Sequence, residues 1–337
     1  MKTINMKDWI RSVIESKQRI AVPILTHSGI EMIGANVVNA VTDGAIHYEA
    51  MKILSDTYAS AASTVIMDLT VEAEAFGATV AFSENEAPTV VGRLLLDRQS
   101  IEELEIPKLT QGRIPEYLKA NKLAVENLAK PVLSGCIGPF SLAGRLFGMS
   151  EIMMEMYIDP EATRLLLQKC TSFILSYCKD FKEIGTQGVI IAEPAAGLLS
   201  NDACQDFSSV YVKQVVDEIQ DDRFSVILHN CGNSGHCTEA MLNVGAAGYH
   251  FGNVINILDA IAACPPDVLV MGNLDPVSIF KMASATEVYN ATTMLLEKTA
   301  PYPNFVLSSG CDIPPHIPFD NIEAFYNALK NYNLKNN

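Results

Sequence analysis

Eight short apolar runs rich in β-branched residues recur along the chain, with helix-patterned stretches between most of them. The runs cover residues 20–26, 64–69, 131–137, 188–193, 224–231, 248–252, 268–272 and 305–309. The helical patterns cover 45–60, 115–129, 159–183, 202–218, 276–298 and 318–331. A strand followed by a helix, eight times over, is the rhythm of an α/β (β/α)8 TIM barrel. The 337 residues suit one such domain spanning 1–337. A doubly wound sheet is the competing architecture, but no Gly-x-Gly-x-x-Gly turn follows an early strand. Segment 78–105 breaks the rhythm after the second strand with short β-like pieces. An insertion at the carboxyl end of a strand is predicted to lie over the barrel mouth, as a lid or as a plain surface excursion. Residues 6–16 are predicted to form a helix that caps the barrel bottom or its side.

Charge and composition narrow the function. A net charge of −15 argues against nonspecific nucleic-acid binding, which needs a positive surface. No apolar stretch reaches membrane-spanning length, and the N-terminus lacks the apolar core of a signal peptide. A cytoplasmic protein with no membrane partner is the expectation. Its eight cysteines then read as free thiols or metal ligands rather than disulfides.

Two stretches carry the chemistry. Val226-Ile-Leu-His-Asn-Cys-Gly-Asn233 and Phe305-Val-Leu-Ser-Ser-Gly-Cys-Asp-Ile-Pro-Pro315 each run from a buried strand into possible metal ligands and then a turn. On a strand, residues i and i+2 share a face, so His229 and Cys231 can converge on one ion. Cys311 ends another strand, and barrel closure brings distant strand ends to one mouth. One imidazole and two thiolates suit zinc with a fourth position open for chemistry. His236 and Cys237 are rival ligands, but their adjacency makes shared tetrahedral ligation awkward. Cys170 and Cys178, eight residues apart on a predicted helix, read as core, Cys204 and Cys264 as core or surface, and Cys136 as a strand end that can line the pocket.

These motifs resemble the uroporphyrinogen decarboxylase superfamily, and within it the methylcobamide:coenzyme M methyltransferase branch. The resemblance runs essentially end to end. It includes Thr26-His-Ser-Gly29, Gln111-Gly-Arg-Ile-Pro115, Ser134-Gly-Cys-Ile-Gly-Pro139 and Ile191-Ala-Glu-Pro194. It is strongest at Leu228-His-Asn-Cys-Gly-Asn233 and Gly310-Cys-Asp-Ile-Pro-Pro-His-Ile-Pro318. It implies zinc on His229, Cys231 and Cys311, activating a thiol that attacks the methyl group of a methylcobalamin-like corrinoid. It also implies a small corrinoid protein as partner, because the chain has no Asp-x-His-x-x-Gly cobalamin signature of its own. The acceptor is a small molecule, either a thiol resembling coenzyme M or tetrahydrofolate.

The decarboxylase branch resembles itself in an arginine-rich N-terminal motif that grips substrate carboxylates. Here no arginine lies between Arg19 and Arg93, so a polycarboxylate substrate lacks its cations. Asp68 matches by position the aspartate those enzymes place at the pyrrole nitrogens. It is equally a candidate for reading a pterin or capping a turn. Glu193 is a candidate for orienting a ligand or the acceptor, or for burial with a structural partner, and Arg113 for holding an anionic acceptor or a helix-start ion pair. Asn230 is a candidate for facing the mouth and holding a ring nitrogen, or for pointing outward. His250 is a candidate for binding the substrate, for supplying a further ligand or for a strand-end hydrogen bond; nearby Gly252 occupies the place where some coenzyme M enzymes carry a further glutamate ligand. Porphyrinogen decarboxylation and a non-catalytic corrinoid-protein-binding role are the remaining readings.

Overall fold

The computed structural model describes residues 4–336. Its strands are β1 (Ser63–Thr64), β2 (Val80–Ala81), β3 (Thr89–Val90), β4 (Val132–Ile137), β5 (Gly188–Ala192), β6 (Ser225–Asn230), β7 (Gly248–Phe251), β8 (Leu269–Leu274) and β9 (Phe305–Ser309). Seven of them form one parallel sheet in the order β1-β4-β5-β6-β7-β8-β9. The extended segment 20–24 is the eighth stave. Ala21 bridges in parallel to Leu307 of β9, and Val22 N donates to Leu307 O at 3.0 Å. On its other side Ala61 N donates to Ala21 O at 2.9 Å. The ring closes into a (β/α)8 barrel.

The first two staves are shorter than the sequence pattern predicts. Pro23 has no N–H to give a ladder, and Thr26 already opens the helix Thr26–Met32. Beyond β1, Ile66 N donates to His47 Nε2 at 3.0 Å instead of to a neighbouring strand. Two expected helices are also interrupted. A π turn at Gln205–Ser209 divides Asn201–Cys204 from Val210–Ile219. Downstream, Ser284 and Glu287 form a capping box that restarts the chain as Ala285–Lys298.

Strand alternation sorts the side chains into two layers. Facing inward are Val22, Leu133, Ile190, Ile227, Leu269 and Val306, which form one buried cluster with Met6, Ile10 and Val13. Those three come from the helix Met6–Glu15, so this helix plugs the barrel bottom. The intervening residues, such as Val189, Ile191, Val226 and Leu228, face outward into the helix layer. The bottom half is therefore filled with hydrocarbon, and polar inward residues occur only further along each strand.

The insertion after the second stave contains the antiparallel hairpin β2–β3. Phe82, just after β2, lies over the Arg113 guanidinium at 4.9 Å. Glu84 and Asn85 of the hairpin loop line a small pocket with His27 and His316, which follow the carboxyl ends of the first and last staves. The hairpin thus overhangs the mouth. Among the described residues no helix is long and apolar enough to cross a membrane.

Candidate metal centre

His229 is an inward residue of β6, two positions beyond the apolar Ile227, and Cys231 follows on the same face. Cys311 arrives from the turn just after β9. Their ligand atoms all lie within 4.8 Å of one another, the one such His/Cys/Asp/Glu group among the described residues. His229 Nε2 and Cys311 Sγ are 3.6 Å apart. A tetrahedral ion with bonds of about 2.0 Å to nitrogen and 2.3 Å to sulfur spaces its ligand atoms by roughly 3.5 Å. The three atoms fit such an ion with little movement.

The two thiols are not equivalent. Cys231 is held below the usual thiol range by a hydrogen bond from Cys311, against the opposing pull of burial. Cys311 is pushed up because it donates that bond and is buried. A cation bound between the two sulfurs would favour the thiolate form of each. Histidine burial is graded too, since His229 is 3 % exposed and His250 not at all.

His250 pairs in register with His229 and is fully buried. Its Nδ1 is 2.7 Å from His229 Nδ1, and its Nε2 is 2.9 Å from Ser308 Oγ. It touches the candidate ligand and has no surface for a substrate. Burial first, then the neighbouring His229, hold its pKa well below the usual imidazole range. Gly252, at the end of β7, leaves no room for a side chain. A Cβ there would come 2.4 Å from the Cys231 carbonyl oxygen. A fourth protein ligand cannot be delivered from that position, no further His, Cys, Asp or Glu joins the group among the described residues, and Cys231 and Cys311 are only half-buried.

Asn230 alternates outward from its neighbours. Its Oδ1 accepts from Gly232 N at 3.1 Å and Asn233 N at 3.0 Å, and it is 2 % exposed. It therefore shapes the loop that carries Cys231. Asn233 Oδ1 accepts from Gly235 N and Cys237 N further along that loop. His236 is exposed and Cys237 buried, both outside the ligand group.

Glu193 also falls on the outward parity, after Ile191. Its carboxylate accepts from Phe140 N at 3.0 Å and Ser141 N at 2.6 Å, at the start of the helix Pro139–Phe147. These are the bonds of a helix cap. Burial lifts its pKa to about 7, against the hydrogen bonds from Ser141, Phe140 and Ser208. Cys136, outward on β4, meets Cys178 at 3.8 Å within the helix layer.

Asp68 and Arg113 meet each other, not the metal centre. Arg113 Nη1 donates to Asp68 Oδ2, and Nε donates to Glu74 at 2.6 Å. Asp68 also accepts from Thr70 N at 3.0 Å, Thr70 Oγ1 at 2.6 Å and Tyr117 Oη at 3.3 Å. Burial is the largest single influence and works to lower the Arg113 pKa, but Asp68, Tyr117 and Glu74 together outweigh it and the net shift is upward. Sequence reasoning did not single out Ser308, His27 or Asp312. His27 Nε2 lies 3.7 Å from Asp312 Oδ2, beside Cys311. Position after a strand end is the signal that could have found Asp312; nothing local marks Ser308.

Residues 18–332 match the uroporphyrinogen decarboxylase (URO-D) family. The chain belongs to that family. A family relative from Methanosarcina acetivorans, a methylcobamide:CoM methyltransferase, is 28 % identical over 299 residues, covering 85 % of this chain and 86 % of that one. A uroporphyrinogen decarboxylase from Pseudoalteromonas atlantica is 25 % identical, covering 81 % and 79 %. Among solved structures, a methyltransferase from Methanosarcina mazei superimposes with a TM-score of 0.88 at 20 % identity, over 98 % of this chain and 99 % of that one. That likeness is one of fold.

Proposed function

We propose that this uroporphyrinogen decarboxylase family member is a zinc-dependent methyltransferase. It moves a methyl group from a methylated corrinoid, presented by a small corrinoid protein, to a thiol resembling coenzyme M. The observation that carries the proposal is the convergence of His229, Cys231 and Cys311 within 4.8 Å, with no further His, Cys, Asp or Glu in the group. Zinc held there would act as a Lewis acid that favours the deprotonated form of an incoming thiol. The chain supplies the rest. His229 and the two cysteines fix where the sulfur sits, and the overhanging hairpin limits water. The acceptor sulfur forms the new S–CH3 bond as the Co–C bond breaks. Its electron pair stays on cobalt, and the thiol proton leaves to solvent.

The arrangement disfavours the other readings. The Asp68 carboxylate and the Asn230 Oδ1, candidate groups for reading a pterin, are already engaged by Arg113, Tyr117, Thr70 and the loop backbone. The same engagement removes Asp68 from a porphyrinogen's nitrogens. All eight cysteines are free, which suits a reducing cytoplasm. The whole chain, 1–337, acts as one catalytic domain in this reading.

Elemental mass spectrometry of the purified protein beside Cys311→Ala tests the metal, and methylcobalamin turnover with 2-mercaptoethanesulfonate or tetrahydrofolate tests the acceptor. About one zinc per chain, lost in the variant, and thiol-dependent demethylation are expected. A parent that takes up no zinc on reconstitution overturns the metal. Turnover with tetrahydrofolate alone overturns the thiol.

A further inference from the structure

A histidine ligates a metal only through a nitrogen that carries no proton, and the neutral ring can hold its single proton on either one. The surroundings of His229 choose between the two forms. Its Nε2 faces Cys311 Sγ at 3.6 Å. Its Nδ1 is 3.2 Å from the His250 carbonyl oxygen and 2.7 Å from His250 Nδ1. A carbonyl oxygen only accepts, so Nδ1 of His229 is the donor and His250 Nδ1 an acceptor. His250 then carries its own proton on Nε2, which stands 2.9 Å from Ser308 Oγ. The Ser308 hydroxyl donates to the Val22 carbonyl oxygen at 2.8 Å, leaving a lone pair for His250. Carbonyls anchor both ends of the chain, and one set of proton positions satisfies every contact.

We infer that Ser308 and His250 are positioning residues that set the tautomer of His229, and with it the nitrogen donor of the metal centre. The inference rests on the zinc reading above for its purpose, though the tautomers stand without metal. Ser308, His250 and His229 are inward residues of β9, β7 and β6, and Val22 belongs to the closing stave. The relay therefore crosses the barrel interior directly above the apolar plug. It ends on neutral groups, unlike the carboxylate that often backs a ligating histidine. His229 thus stays a neutral ligand, and the negative charge of the site resides on the two sulfurs.

Nitrogen-15 NMR of the histidine-labelled, metal-free protein reads the tautomers directly. The parent is expected to show His229 protonated on Nδ1 and His250 on Nε2. Ser308→Ala removes the acceptor for His250 Nε2–H and frees that ring to place its proton on Nδ1, opposite His229. A mixture of His229 tautomers and zinc affinity weakened about 10–100-fold in a chelator competition are expected, with both restored in Ser308→Thr. A parent His229 protonated on Nε2 overturns the inference. So does a folded Ser308→Ala with parental tautomers and parental affinity. If Ser308→Ala does not fold, His250→Gln, whose amide oxygen can accept from His229, is expected to keep zinc better than His250→Leu; equal affinities overturn the relay. A parent that binds no zinc but shows the expected tautomers overturns the metal reading alone.

Discussion

The Cα of Gly252 rests against the backbone of Cys231, so closely that a Cβ would lie 2.7 Å from the Cys231 Cα as well as 2.4 Å from its carbonyl oxygen. The end of β7 is in this way wedged under the segment that presents one candidate thiolate. Gly252→Ala is expected to displace Cys231. Overpacking of this kind costs about 1–3 kcal/mol. Urea unfolding and zinc titration should both register it, and a variant with parental zinc affinity would show that the Cys231 loop adapts.

Asp68 and Arg113 form a pair whose side chains are 1 % and 7 % exposed. Removing one charge from such a pair leaves the other buried without its partner, at a cost of about 3–5 kcal/mol. Asp68→Asn is expected toward the lower end, since Glu74 still holds Arg113. Denaturation midpoints measure it. Parental stability with methyl transfer abolished would assign Asp68 a chemical role instead.

Glu193→Ala is expected to lose a helix cap, about 0.5–2 kcal/mol of stability, while keeping its zinc. Elemental analysis beside thermal unfolding separates the two effects. Loss of metal at unchanged stability would place Glu193 in the metal centre.

Glu72 is 1 % exposed, with one oxygen accepting from Ile137 N at 3.1 Å and the other without a partner. Burial raises its pKa from 4.5 to about 7, with Asp68 adding to the rise and Arg113 opposing it. A carboxyl raised on folding binds its proton more tightly in the folded chain. Its stabilisation is full below about pH 4.5, falls as pH climbs to about 7, and amounts to roughly 3 kcal/mol. Glu72→Gln is expected to flatten the stability profile between about pH 5 and about pH 7.5. Glu193, raised for the same reason, leaves a residual slope. A profile as steep as the parent's would mean that water or relaxation keeps Glu72 near its ordinary pKa.

The sequence by itself determined the barrel and the candidate ligands. Apolar runs and helical periods are local signals, and a strand's two-residue repeat already places His229 and Cys231 on one face. That same repeat puts Asn230 and Glu193 on the opposite face, so their roles in the loop and the helix cap were readable in principle from parity. Tertiary structure alone decided the rest. Ser308 lies 58 positions from His250, and Arg113 lies 45 from Asp68. No local pattern can announce partners that only barrel closure and an overhanging hairpin bring together. Gly252 shows the same limit, because a missing side chain gains meaning only from the backbone it lets approach. Strand periodicity is a property of neighbouring residues, whereas proton direction, ion pairing and the meeting of His229 and Cys231 with Cys311 depend on contacts across the ring.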